Sequence, residues 1–262
     1  MMAPEYYIFT GRDGVRRIPD HVTHVLIDEA LKFVPAEAFY KHPNIQEVIC
    51  HDGVLKIEQG AFYKCYRLRR VIMPGVKIIK FRAFIRCTAL TSVVCGRLER
   101  IVDFAFCYCK SLSSIDLPSI KIVGLAPFGG CKSLTNVKFG KKLELLEKKA
   151  FYNCASLERI SLPLKDGMIG YNDTFAGCEK LNYIDLVEGA LLAKTIAALH
   201  LEKWQNDMSD EVDAINRILD TTPAGNAKDD FSEAGGGRPG RFECGSDQFY
   251  AKSYTTKENI AA

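Results

Sequence analysis

The sequence predicts an α/β repeat protein, a solenoid whose coils each give one short strand to a parallel sheet of about eight strands, with a helical C-terminal cap and a disordered tail. Three observations carry this. A phenylalanine recurs at near-constant spacing, at Phe39, Phe62, Phe84, Phe106, Phe128, Phe151 and Phe175. Three residues on stands a cysteine (Cys65, Cys87, Cys109, Cys131, Cys154, Cys178, with His42 in the first copy), and three further on Ile45, Leu68, Leu90, Leu112, Leu134, Leu157 or Leu181. An apolar pair two residues apart follows, as in Val71/Met73, Val137/Phe139 and Ile160/Leu162. The first three positions share one face of a helical turn, and the pair has the period of a strand. No copy can bury this set alone, so the copies must stack into a solenoid.

Two further positions complete the unit. A small residue precedes most of the phenylalanines (Ala38, Ala61, Ala83, Ala105, Ala150), which lets neighbouring coils approach closely, although Pro127 and Thr174 break the habit. One apolar residue closes each coil before the next phenylalanine: Ile57, Ile79, Ile101, Val123, Leu146 and, slightly out of step, Ile169. After the strand pair stands Pro74, Gly96, Pro118, Gly140 or Pro163. The composite pattern Ala-Phe-x-x-Cys-x-x-Leu-x-x-Val-x-Leu-Pro resembles the BspA-type (treponemal) leucine-rich repeat, a class spread through bacterial surface proteins and large sets of eukaryotic, including algal-type, proteins. The resemblance covers residues 18–187. It implies a leucine-rich-repeat solenoid used as a recognition or adhesion surface, without a catalytic centre. Proline or glycine after the strand fits this class and departs from the relatives that carry an asparagine ladder there.

The organisation follows. Residues 1–37 read as an N-terminal cap with a truncated first unit: Tyr6-Tyr7-Ile8-Phe9 is a short apolar run, Gly11 to Gly14 a turn, and Val25 and Ile27 match the strand pair. Residues 38–187 hold seven repeats. The period then gives way to a helical pattern over 188–221, read as a C-terminal cap over the last coil's apolar edge, with Trp204 packed in it. From 222 to 262 glycine, serine, aspartate, lysine and proline dominate without apolar periodicity, which reads as disorder. The algal-type relatives continue helically here, so the tail departs from them.

With 262 residues, 47% hydrophobic and 26% charged, composition is that of an ordinary globular protein, and a net charge of +3 selects no class of partner. Residues 1–9 lack an apolar run behind a basic start, and no run has the length of a membrane span, so the expected location is intracellular and cytoplasmic. Ten cysteines raise three readings: a buried column at the repeat position, disulfides, or a metal site. Six of the ten share one register, and no secretory leader is evident, which favours the buried column. The sequon Asn172-Asp173-Thr174 should then be idle.

Catalytic signatures are missing. The glycine cluster at 235–240 lacks the flanking strand, helix and Gly-Lys-Ser/Thr of a phosphate loop, and the five histidines (His21, His24, His42, His51, His200) are scattered. No repeat position pairs a cysteine with a general base. The reading is therefore non-enzymatic, with no cofactor, no metal and no small-molecule substrate.

A partner site can be counted off the repeat. The residues between the inward strand positions form an outward row, Leu26, Ile49, Ile72, Val94, Asp116, Lys138, Ser161 and Asp185, apolar in its first half and polar in its second. Beside it run Glu47, Arg70, Ser92, Ser114, Asn136, Arg159 and Tyr183. An outward apolar row stabilises cross-strand contacts, is covered by a terminal segment of the chain, or marks an interaction site. From these rows Leu26, Ile49, Arg70, Ile72, Val94, Asp116, Lys138, Arg159, Tyr183 and Asp185 are the candidate contacts for a protein partner. The alternative is electrostatic. Residues 64–100 hold Arg67, Arg69, Lys77, Lys80, Arg82, Arg86, Arg97 and Arg100 with a single acid, Glu99, and such a stretch could attract an acidic protein, an anionic membrane or nucleic acid.

Overall fold

In the computed structural model the described residues are 5–11, 18–163, 165, 168–169 and 173–187, all within one compact unit that spans residues 1–199. The expected cap at 188–221, the tail and Asn172 of the sequon lie outside them. The described residues form strands and turns and contain no helix. None of their elements is a helix long and apolar enough to cross a membrane.

The strands, in chain order, are β1 (Tyr6–Phe9), β2 (His24–Ile27), β3 (Phe33–Val34), β4 (Glu47–Ile49), β5 (Lys56–Ile57), β6 (Arg70–Ile72), β7 (Ile78–Ile79), β8 (Ser92–Val94), β9 (Arg100–Ile101), β10 (Ser114–Leu117), β11 (Ile122–Val123), β12 (Asn136–Phe139), β13 (Leu145–Leu146), β14 (Arg159–Leu162) and β15 (Tyr183–Leu186). Each full coil has three sides, and each side is hydrogen-bonded to the same side of the next coil, except between β8 and β10 on the first side. The first side carries the expected strand pair. Its strands form one parallel sheet in the order β1-β2-β4-β6-β8 and a second in the order β10-β12-β14-β15, nine strands where the sequence predicts about eight. The additional one is β1, which the N-terminal apolar run supplies.

The second side is a sheet that the sequence pattern did not announce. The residue that closes each coil lies in a two-residue strand, and β3, β5, β7, β9, β11 and β13 pair in parallel, burying Val34, Ile57, Ile79, Ile101, Val123 and Leu146.

The third side carries the phenylalanine and corrects the expectation of a helical turn. Two positions in each of the first six repeats, two residues before and two after the phenylalanine, have left-handed backbone: Glu37 and Lys41, Gly60 and Lys64, Arg82 and Arg86, Phe104 and Tyr108, Ala126 and Gly130, Lys149 and Asn153. Right-handed and left-handed residues thus alternate, which turns every second N–H toward the following coil. Glu37, Phe39 and Lys41 donate to the carbonyls of Gln59, Ala61 and Tyr63 at 3.0, 2.8 and 2.8 Å, and the same triple recurs coil by coil. A left-handed non-glycine residue costs on the order of 1 kcal/mol. The ladder offsets that cost by pairing backbone donors that would otherwise be buried without partners.

The core lies between the three sides. Six consecutive phenylalanine pairs, from Phe39–Phe62 to Phe151–Phe175, stack nearly parallel with ring centroids 4.9–5.6 Å apart, and Phe9 of β1 meets Phe39 at 4.8 Å, tilted by 55°. The repeat cysteines form the expected column, buried from Cys65 to Cys154 and partly exposed at Cys178, and also act as donors. The thiols of Cys65, Cys87, Cys109, Cys131, Cys154 and Cys178 each donate to the phenylalanine carbonyl of the preceding coil, at 2.9–3.2 Å. In the first coil His42 stands there and its Nε2 meets the Pro19 carbonyl at 3.2 Å. The strict repeat of cysteine therefore has a reason beyond size, since it brings a small donor to a buried carbonyl. Cys107, one residue past Phe106, is buried as well. At Gly75 and Gly140 the coils pass so closely that a Cβ would overlap the carbonyl of Asp52 or Pro118 in the preceding coil. That is the close approach which leaves no room for a side chain.

Candidate functional site

The long-strand side places its inward residues at 0–5% exposure in most coils and turns the alternate residues outward. Strand register then aligns the outward residues across coils. Ile8, Leu26, Ile49, Ile72 and Val94 lie directly opposite one another from β1 to β8. The column is one residue longer than the sequence reading, because Ile8 of β1 continues it. Val94 is 43% exposed and Ile8 57%, while Leu26, Ile49 and Ile72 between them are partly exposed. The register of Ile8 is set by Tyr7 and Phe9, which pair with Val25 and Ile27.

Beside this column Tyr6, His24, Glu47, Arg70 and Ser92 align in the same way. Along it a carboxylate stands between an imidazole and a guanidinium. His24 Nε2 and Arg70 Nε each lie 3.6 Å from a carboxylate oxygen of Glu47, and the Tyr6 ring lies 5.0 Å from the imidazole of His24. These pairs are partly solvated and contribute little to stability. Their effect is to hold a polar row straight beside the apolar one.

Between β8 and β10 the ladder is interrupted, and the column changes character at the same point. Asp116, Lys138, Ser161 and Asp185 continue it from β10 to β15. Asp116 stands opposite Lys138, Asp185 Oδ2 accepts from Arg159 Nη1 and from Ser161 Oγ at 3.4 Å each, and the Arg159 guanidinium lies 4.8 Å from the Tyr183 ring centroid. The ten sequence-derived contact residues therefore share one side of the coils, divided into an apolar and a polar region.

The basic residues of 64–100 occupy different sides. Arg67 and Arg69 precede β6, where Arg67 donates to Asn44 Oδ1 at 2.7 Å. Lys77, Lys80 and Arg100 border or lie in the second sheet, and Lys77 is 3.6 Å from Glu99. Arg82 and Arg86 stand on the turn side over the rings of Phe81 and Tyr108 at 4.8 and 5.6 Å, and Arg97 follows β8. Glu99 also accepts a 2.9 Å hydrogen bond from Lys121, and that bond and the ammonium charge hold its carboxyl below the usual carboxylate range.

The buried thiols are poor nucleophiles. Burial pushes Cys50, Cys65, Cys95 and Cys131 up to about 12, and Cys87 and Cys109 well above the usual thiol value. Among the described residues no group of three or more His, Cys, Asp or Glu side chains could hold a metal ion. The arrangement offers a surface for contact.

Comparison with known proteins agrees with this geometry. The family model described as "BspA type Leucine rich repeat region" matches residues 20–121 and 99–196, in six copies. A leucine-rich repeat protein from Bacteroides ovatus is 26% identical, over 64% of this chain and 43% of that one, with a TM-score of 0.57. The T. pallidum leucine-rich repeat protein TpLRR is 29% identical over 53% of this chain and 68% of its own, with a TM-score of 0.47. The chain thus spans less than half the length of the Bacteroides protein. No curated protein matches it.

Proposed function

Because the chain belongs to the BspA-type leucine-rich repeat family, we propose that it is a non-enzymatic interaction module that binds a protein partner on the outward face of its long-strand sheet, over β1 to β8. Repeats of this kind are typically protein-interaction modules. The observation that carries the reading is the apolar column Ile8, Leu26, Ile49, Ile72 and Val94, held in register by parallel pairing and turned to solvent. The repeat requires the inward residues to be apolar and makes no such demand on the outward ones. Burying an aligned apolar row yields about 25 cal/mol per Å² of apolar surface, and a partner lying across the coils collects this from each. The polar row from Tyr6 to Arg70 then supplies direction-dependent contacts at the rim.

The test is capture from a lysate of the cells that express the protein, with wild type against the Ile49→Glu/Ile72→Glu double variant, at low and high salt. Loss of a salt-resistant partner in the variant supports the apolar face. Capture that ignores both substitutions and disappears in salt transfers the function to the basic residues of 64–100, because binding through charge weakens as salt rises.

A further inference from the structure

We propose that the partner segment seated on this face is a short amphipathic α-helix lying along the axis on which the coils stack; the inference rests on the interaction reading above and specifies its ligand. Spacing is the first argument. Parallel strands repeat at about 4.8 Å, so the five apolar residues span about 19 Å. A helix covers that span with about 13 residues, at a rise of about 1.5 Å for each. It brings a residue of one face round every turn of about 5.4 Å, and over four steps it drifts from the column by about 2.4 Å, which side chains absorb. An extended peptide laid the same way presents one face at intervals of about 6.7 Å and drifts by more than a full coil over the same distance.

Charge is the second argument and is independent of the first. The two flanks of the apolar column differ in net charge. On the flank where the strands begin, Arg69 and Arg70 are exposed with Arg67 behind them, and they outnumber the acids Glu5 and Glu47, of which Glu47 lies 3.6 Å from Arg70. On the flank where they end, Asp28, Glu29 and Asp52 follow β2 and β4, and Arg97 closes that flank after β8. Arg69, Glu29 and Asp52 are exposed, and no ion pair engages them among the described residues. A helix whose apolar stripe is edged by acids on one side and by lysines or arginines on the other matches this pattern. One edged by a single sign meets repulsion on one flank.

The experiment uses the full-length chain and fluorescein-labelled peptides slightly longer than the column, hydrocarbon-stapled to hold them helical, in an anisotropy titration. All carry the same leucine stripe, and they differ in their flanks: one acidic and one basic, both acidic, or both basic. A fourth, unstapled peptide alternates leucine with polar residues to favour an extended chain. The expected result is that the mixed-flank helix binds at least about 10-fold more tightly than the other three, a difference of about 1.4 kcal/mol. Glu29→Lys/Asp52→Lys should reduce that preference for mixed flanks, and Ile49→Glu/Ile72→Glu should weaken the mixed-flank peptide about 10-fold or more. Tighter binding of the extended peptide, equal binding of all four, or binding of none overturns the helix. The lysate capture still decides the face itself, so failure here and failure of the interaction reading are told apart.

Discussion

The two halves of the long-strand side have the same parallel strands, apolar inward residues and opposite outward faces. From β1 to β8 the outward column is aliphatic, and from β10 to β15 it is charged or polar and satisfies itself through Arg159, Ser161 and Asp185. Strand pairing on this side is interrupted where the character changes. Stacking therefore does not require outward aliphatics, since the polar half stacks without them. A residue type that the fold does not need, repeated in five consecutive strands, calls for a cause outside the fold, and partner binding is such a cause.

The comparison can be broken most severely through the core that both halves share. Phe106 stacks between Phe84 and Phe128 at 5.1 and 5.6 Å and is fully buried, so Phe106→Ala should cost about 3 to 5 kcal/mol in chemical denaturation. Near-normal stability would contradict a continuous aromatic core. Next in size are the cysteines. Cys109→Ala removes the thiol donor to the Phe84 carbonyl and leaves a small void, for an expected loss of about 1 to 2 kcal/mol. Native labelling at pH 8 should leave Cys65 and Cys131 unreacted on the timescale on which the partly exposed Cys178 reacts, because burial raises the first two to about 12.

The outward substitutions separate the halves. Ile49→Glu/Ile72→Glu should abolish partner capture while moving the unfolding midpoint little, whereas Lys138→Glu/Ser161→Glu, at the same register in the polar half, should leave capture intact. Equal effects from both pairs would erase the distinction. The smallest effect concerns Glu99, a surface carboxylate held between Lys121 and Lys77. Its depressed pKa means that its contribution is complete above the ordinary carboxylate value and is lost as pH falls through the depressed one. Glu99→Gln should thus cost a little stability at neutral pH, and the cost should fade in acid and in high salt.

The sequence discloses the solenoid because its requirements repeat. Phenylalanine, cysteine, leucine and the strand pair recur in register, and each lands where burial demands it. The second sheet escaped because it spends one inward residue per coil, so Ile57 or Val123 alone shows no alternation. The turn side was misread for a physical reason. Successive tight turns share the three-residue spacing of a helix, and the residues that adopt left-handed backbone there, such as Lys41, Arg86 and Tyr108, carry no glycine signature. Of the interaction surface, the rows from residue 26 onward were countable from the strand pairs. Tyr6 and Ile8 were not, because one short apolar run without the repeat's phenylalanine gives no register until it pairs with His24–Ile27.

The most direct test of the division is photo-crosslinking from single outward positions. A benzophenone amino acid placed at residue 72 in the apolar half, or at residue 138 in the polar half, would be irradiated in the presence of the captured partner. The account predicts a crosslinked adduct from position 72 and none from position 138. Crosslinking from 138 with none from 72 would contradict it.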